Sequence, residues 1–337
     1  MGRWVLSVRG AGCRGVALAA LLWSSSSAAQ EEPPSLASLP LELHGFVSQG
    51  FILSAKNEYV ATSKTGSLEL AEAGVNLTKT LPQNLRVGVQ LFAHDLGPFG
   101  NFNPELDWYY LDWRPKDGLG IRVGRLKMPF GLYNELNDID AARVPILLPQ
   151  AIYQADHREY LFAQAGAELY GDVRLGNVGA LEYRLYGGTL PGELPPGPPR
   201  PGMGLTRVAV PYVYGGRVLW STPIDGLVAG FSAQAVRFDF DFALDPAVRT
   251  ALETGLLLPA GLVNPLRVKF RVPRWIASVQ YAAHDLDLSA EYSRWTGLFY
   301  SDAPVLFPPH TTNERYYALA SYHVSSWFTP GLYYSGY

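Results

Sequence analysis

The chain has 337 residues, a formal net charge of −3 and a single cysteine, Cys13. That balance gives no polybasic footprint for nucleic acid, and one cysteine gives no disulfide framework. Aromatic residues make up 13 % of the chain, with 20 tyrosines and 8 tryptophans; such a load fits rings lying between hydrocarbon and water, or else the aromatic core of a secreted, lectin-like β-sandwich.

Residues 1–29 read as a secretory signal. Arg3, Arg9 and Arg14 make a positive n-region, Val16–Trp23 a short apolar core, and Ser27-Ala28-Ala29 a small-residue cleavage site before Gln30. The apolar core falls short of the roughly 20 residues that a helical span needs. Cys13 lies upstream of it, so it is neither a lipid-attachment cysteine nor a disulfide partner, and the mature chain carries no thiol. No later stretch reaches about 18 uninterrupted apolar residues. Entry into a membrane is then open only to a closed barrel, because hydrocarbon leaves no partner for an unpaired sheet edge.

From residue 41 onward the pattern is short alternating strands. In LELHGFVSQGFILS, Leu41, Leu43 and Val47 share one face, and Glu42, His44 and Ser48 the other. A turn over Asn57–Gly66 leads to SLELAEAGVNLTK, whose apolar phase slips at Glu72 as at a bulge. After the turn at Pro82-Gln83-Asn84 comes LRVGVQLFAHD, the cleanest alternation in the chain, with Leu85, Val87, Val89 and Leu91 opposite Arg86, Gly88 and Gln90. Such a face covers a core in water or meets lipid in a membrane, and pattern alone does not choose. LDWYYLDWR carries aromatics on both faces, and PKDG turns it into LGIRVGRLKMPFG, with Ile121 and Val123 opposite Arg122.

Residues 119–164 break the rhythm. The strand opens into a long connection bearing Arg125, Lys127, Arg143 and Arg158 together with Glu135, Asp138, Asp140, Asp156 and Glu159. A long connection inside a meander is functional or disordered; Leu147, Leu148, Ile152 and Tyr153 give this one something to bury. The expectation is that about 130–164 folds back into the lumen of a barrel built by the rest. Next come AGAELYGDVRL, a turn at Gly176-Asn177, and ALEYRLYGG, where Leu181, Tyr183 and Leu185 oppose Glu182, Arg184 and Tyr186. The Pro-rich stretch Pro191–Gly204 reads as an exposed loop rather than a domain boundary, since strands resume beyond it.

The second half repeats the habit, with short connections at Thr222–Gly226 and His284-Asp285 and long ones at Ala243–Leu266 and Ala303–Asn313. Alternating short and long loops match barrels with tight periplasmic turns and longer external loops. The pattern holds about 12 or 13 strands, within the few residues that boundaries allow. FTPGLYYSGY, with Pro330 inside it, is a partial strand, so the chain reads as incomplete at its C-terminus.

At Gly124, Arg125, Lys127, Pro129 and Gly131, within GRLKMPFGLYNE, the sequence resembles the bacterial outer-membrane proteins related to the phosphate-selective porins. LHGFVSQGF also resembles that family's first strand. The resemblance implies a transmembrane antiparallel β-barrel of about 16 strands, often trimeric, with loops narrowing the pore. It also implies contact with outer-membrane lipid and lipopolysaccharide. The chain departs from the phosphate-selective members in lacking a lysine-rich ladder.

The expectation for function is therefore an all-β outer-membrane barrel for passive diffusion of small hydrophilic solutes or ions, not an enzyme. Arg125, Lys127, Arg143 and Arg158 are the candidates for a charged constriction. Arg122 has the opposite parity and reads better as an ion-pair partner of Asp112, Asp138 or Asp140. Asp138, Asp140 and Asp156 lack the regular loop of a calcium site, the six histidines are scattered, and neither HExxH nor GxSxG occurs, so no metal, cofactor or catalytic set is expected. The alternative is a plugged, non-conducting barrel with a structural, adhesin or hydrolase role.

Overall fold

The computed structural model of the chain describes residues 3–5, 41–56, 58, 62–97, 100–137, 145–154, 163–190, 202–255, 265–301, 303 and 306–337. The fold is all-β and antiparallel. A three-residue β1 (Arg3–Val5) precedes β2 (Leu41–Gln49), β3 (Ala71–Leu81), β4 (Leu85–Asp95), β5 (Glu105–Lys116) and β6 (Leu119–Lys127). Then come β7 (Ala163–Arg174), β8 (Ala180–Leu190), β9 (Met203–Ser221) and β10 (Leu227–Leu244). The last are β11 (Leu266–Ala283), β12 (Leu286–Ser301), β13 (His310–Tyr322) and β14 (Gly331–Gly336). From β2 to β14 each strand pairs with its neighbour in sequence, an up-and-down meander. β2 lies at one edge of the sheet, and β1 pairs with β14 at the other, so among the described residues the barrel wall is open.

The tight turns follow from local sequence. Ala283 pairs with Leu286, so only His284 and Asp285 connect β11 to β12, and both take positive φ, 55° and 61°, as a type I′ hairpin requires. Gln83 and Asn84 do the same between β3 and β4. Because every pairing is antiparallel, connections alternate between the two ends of the wall: those of two to five residues fall at one end, with the eight-residue link from β13 to β14, and the rest at the other.

Two details differ from the sequence reading. β3 pairs with both neighbours without a register shift; the apparent slip at Glu72 arises because the strand starts at Ala71, and the residues before it lie outside the ladder. Pro330 stands just before β14, not within it, and its carbonyl accepts from Tyr322 N–H at 3.1 Å, a position that needs no proline donor. The long connection after β10 also holds a helix, α1 (Pro246–Thr254), capped by Asp245, whose carboxylate accepts from Ala247 N–H at 2.9 Å.

The two faces of the wall differ in kind. Residues pointing to one side are aliphatic or aromatic and well exposed, for example Leu43 at 66 %, Leu91 at 53 % and Leu185 at 55 %. Those pointing to the other side include Thr78, Gln90, Asp112, Glu168, Arg217, Ser278 and Glu291, all buried. We call the second face inner, because the connection after β6 lies against it. On the outer face, aromatic pairs recur six residues apart at Trp220 and Tyr214, Tyr281 and Trp275, and Tyr322 and Tyr316. At about 3.3 Å per residue that is a band roughly 20 Å tall.

β9 to β12 run 16 to 19 residues, against 9 to 12 in β2 to β8. Along the extra length the polarity inverts. The inner face becomes an aromatic core of Phe238, Phe240, Phe242, Phe270 and Phe299, overlaid by Phe307. The outer face becomes charged, with Arg207, Arg237, Asp239, Asp241, Lys269 and Arg271 in registered rows. A strand that keeps period two while exchanging which side is apolar has passed from one solvent into another.

Candidate functional site: the inner face and the segment against it

Strict alternation delivers three arginines to the inner face, on β6, β8 and β9. Ile121 and Val123 point outward, so Arg122 of β6 points inward, 3.2 Å from Asp112 and 3.8 Å from Glu168. Its guanidinium lies 4.2 Å from the centroid of the Tyr170 ring, and Tyr170 O–H donates to the same Asp112 at 2.7 Å. Arg184 of β8 reaches Glu135 at 2.6 Å, Glu182 at 3.0 Å and Glu168 at 3.1 Å. Arg217 of β9 reaches Glu135 and Glu182, each at 2.8 Å. Three cations thus interleave with four carboxylates, a formal charge of −1 when all are ionised. Such a web is held by mutual pairing, and removing one member leaves others unpaired in a poorly solvated place.

Glu135 belongs to the connection after β6, which the network therefore ties down. Pro129 follows the strand, and Gly131 turns with φ of 65°, where a side chain would be strained. Arg217 donates to the Gly131 carbonyl at 3.1 Å, and Gly131 N–H donates to Ser232 Oγ at 3.0 Å. Further on, Arg315 donates to the Ala151 carbonyl at 3.1 Å and Arg274 to the Ile152 carbonyl at 3.3 Å. Arg274 also covers the Phe130 ring, 4.4 Å from its centroid.

The focus of this packing is Glu291 on β12. Its carboxylate accepts from Leu132 N–H at 2.9 Å, from Ser278 O–H at 2.6 Å, and from the Tyr153 phenol. The Tyr153 oxygen in turn accepts from Leu132 and Tyr133 N–H at 2.9 and 3.1 Å. Burial, reinforced by the Glu291 charge, keeps the Tyr153 phenol protonated far above its usual range, so it remains a donor. Burial pushes Tyr133 up to about 12. Around this polar centre Phe130, Leu132, Leu148, Ile152, Ile276 and Tyr317 form a dry cluster joining the segment to β11 and β13. The described parts of the connection are thus held along the inner face of β8 to β13.

The four residues expected at a constriction have different placements. Arg125 is registered opposite Tyr109 on β5 and Ala165 on β7. Tyr109 is an exposed outer-face residue, so Arg125 is on the outer side and does not join the inner network. Lys127, at the strand end, turns inward to Asp107 at 3.1 Å. A register shift in β5 beside Gln90 brings Asp107 there, and Gln90 donates to it at 2.9 Å. Arg143 and Arg158 lie outside the described residues, as do Asp138, Asp140 and Asp156. Arg122 does pair with Asp112. Sequence reasoning passed over Arg217, Arg274 and Glu291, although each sits in phase with the polar side of its strand; that phase was the available signal.

Among the described residues no cluster of three or more His, Cys, Asp or Glu side chains is placed to hold a metal. One Asp–His pair does form, His323 Nε2 to Asp287 at 2.6 Å, with Thr329 Oγ1 3.2 Å from Nδ1. Thr329 is buried, and His323 N–H also donates to the Asp285 carbonyl at 2.8 Å. This arrangement clasps the β11–β12 turn to the β13–β14 turn.

No protein-family model matches the chain, and no curated protein matches it either. Solved structures similar to it include OmpT, an outer membrane protein of Vibrio cholerae, at 12 % identity and a TM-score of 0.41 over 88 % of this chain and 85 % of that one. The outer membrane channel DcaP of Acinetobacter baumannii aligns at 10 % identity and 0.36 over 90 % and 99 %. An anion-selective porin from Comamonas acidovorans aligns at 10 % and 0.34 over 88 % and 100 %. The fold assignment rests on the strand pairing itself.

Proposed function

We propose that the chain is a bacterial outer-membrane β-barrel through whose interior small hydrophilic solutes or ions diffuse passively. The observation that carries this reading is the polarity of the wall: exposed apolar rows outside, arginines and carboxylates inside, over a band of membrane height. The short turns then face the periplasm and the long connections the exterior. β1 belongs to the exported leader and leaves with it, and the wall must close in hydrocarbon, where an open edge is untenable. Lipopolysaccharide contact and trimer formation belong to the same reading. Arg122, Arg184 and Arg217 set the electrostatic bias, together with Lys127, Arg143 and Arg158 of the expected constriction. With Lys127 already paired to Asp107, the inner face offers small ions of either sign a mixed field rather than a phosphate ladder.

The test is conductance of the purified protein in a planar lipid bilayer. Discrete channel events are expected, and their absence at any voltage removes the proposal. One observation favours a second reading, a barrel that stays shut: residues 128–137 and 145–153 are bound to the inner wall by buried and partly buried hydrogen bonds. Deleting 130–154 should enlarge the conductance of an open channel, but should create a conductance where the intact protein has none.

A further inference from the structure

A groove of about 690 Å³ lies along β9 to β12, at the level where the polarity of the wall inverts, lined mainly by outward residues and reaching the inward-phased Tyr186, Gln234 and Arg274. Its floor is made by small outward residues on two successive rungs, Ala235 beside Pro273 and Gly216 beside Ala233. Tyr214, Phe231 and Trp275 wall it, with Phe231 and Trp275 stacked at 6.2 Å. Neighbouring rungs of the outer face carry large side chains, so the depression is a local omission of bulk inside an aromatic row.

Arginines flank it at two heights. Arg294 lines the groove, opposite Trp275 in register. One rung above Ala235 and Pro273, Arg237 and Arg271 are direct cross-strand partners. Like charges placed opposite each other are unfavourable unless something negative lies between or beside them. Asp239 answers Arg237 at 2.7 Å, whereas Arg271 rests over the Tyr300 ring, 5.3 Å from its centroid. Arg294 has Glu314 at 3.8 Å, a half-exposed pair of the kind that adds little. An apolar slot that runs from the Arg294–Trp275 rung up to the weakly engaged Arg271 guanidinium has the complementarity of an acyl chain bearing an anionic head.

We propose that this groove seats one acyl chain of a phosphate-bearing membrane lipid in the leaflet at the long-loop end, with the phosphate held by Arg271. The inference rests on the outer-membrane reading above and names a ligand for its outer wall. Bound lipid fills the depression and supplies the charge that the arginine row lacks.

The test uses the full chain reconstituted in phosphatidylcholine vesicles doped with phosphatidylglycerol, with bromine on the acyl chains of one lipid or the other as a contact quencher of tryptophan. The Trp275 signal is the difference between the parent and Trp275→Phe. Trp113 and Trp220, also outward, report general contact with lipid. Expected is a preference of about fivefold for the brominated anionic lipid at Trp275, the factor associated with one basic side chain near a charged headgroup. Arg271→Gln should abolish that preference, and Ala235→Leu should lower quenching by both lipids. Equal quenching at Trp275 by the two headgroups, with Trp113 and Trp220 quenched normally, overturns the groove assignment alone. If none of the three tryptophans is quenched, the membrane reading falls, and this inference with it.

Discussion

Glu291→Ala is the most informative perturbation, because one carboxylate anchors the inner segment to the wall. The change removes the acceptor for Leu132 N–H, Ser278 O–H and the Tyr153 phenol. Leu132 N–H keeps the Tyr153 oxygen as a second acceptor at 2.9 Å, and Ser278 can turn its hydroxyl, so one or two donors are left without a partner. At about 1–3 kcal/mol for each stranded buried group, the bound state of the segment loses about 2–4 kcal/mol. That raises the population of the released segment by roughly 30- to 1,000-fold, at 1.4 kcal/mol per factor of ten. The assay is single-channel recording, paired with limited trypsin cleavage of folded protein, since the segment contains Arg143 and Arg158. The variant should show larger or more frequent openings and faster cleavage in 130–162. Glu291→Gln, which keeps an acceptor for Leu132 and Ser278, should fall between it and the parent. A folded Glu291→Ala protein matching the parent in both conductance and cleavage would refute the anchoring role.

Further outcomes test the rest of the wall. Arg184→Gln takes a cation from the inner network, moving its formal charge from −1 to −2; cation-over-anion permeability should rise, read from reversal potentials in a salt gradient, while Arg125→Gln on the outer side should leave the ratio alone. An unchanged ratio for the first or a shifted one for the second contradicts the assigned faces. Val123→Arg puts a charge in the outer apolar row and should cost about 2–4 kcal/mol of folding stability at mid-bilayer depth, whereas Lys269→Leu, on the charged extension of β11, should cost almost nothing; urea unfolding in vesicles compares the two. Val268→Asp strikes the aromatic core above the inversion and should expose β10 and β11 to protease at the long-loop end while heat-modifiable migration of the barrel stays normal. Loss of both together would show that the extension and the wall fold as one unit.

Much of the wall was legible because a strand's period of two is written directly into sequence. Leu181, Tyr183 and Leu185 alternate with Glu182, Arg184 and Tyr186, and the two sets do occupy opposite faces. Hairpins such as His284-Asp285 were readable for the same local reason, as was the pairing of Arg122 with Asp112 across adjoining strands. Asp245-Pro246 carried a helix start that composition alone hid inside a loop.

What alternation cannot supply is which partner waits across the lumen. Glu135 meets Arg184 and Arg217, and Tyr153 meets Glu291, only because the sheet curls and brings β8 to β13 around one segment; those contacts span up to 138 residues of sequence. The bulge that turns Asp107 toward Lys127, and the register that sends Arg125 outward, are likewise properties of paired strands. Sequence determined the two faces of each strand, since side-chain direction is local. Only the tertiary structure decided which charges meet, where the faces exchange polarity, and what the long connection touches, because those depend on registers summed across the whole wall.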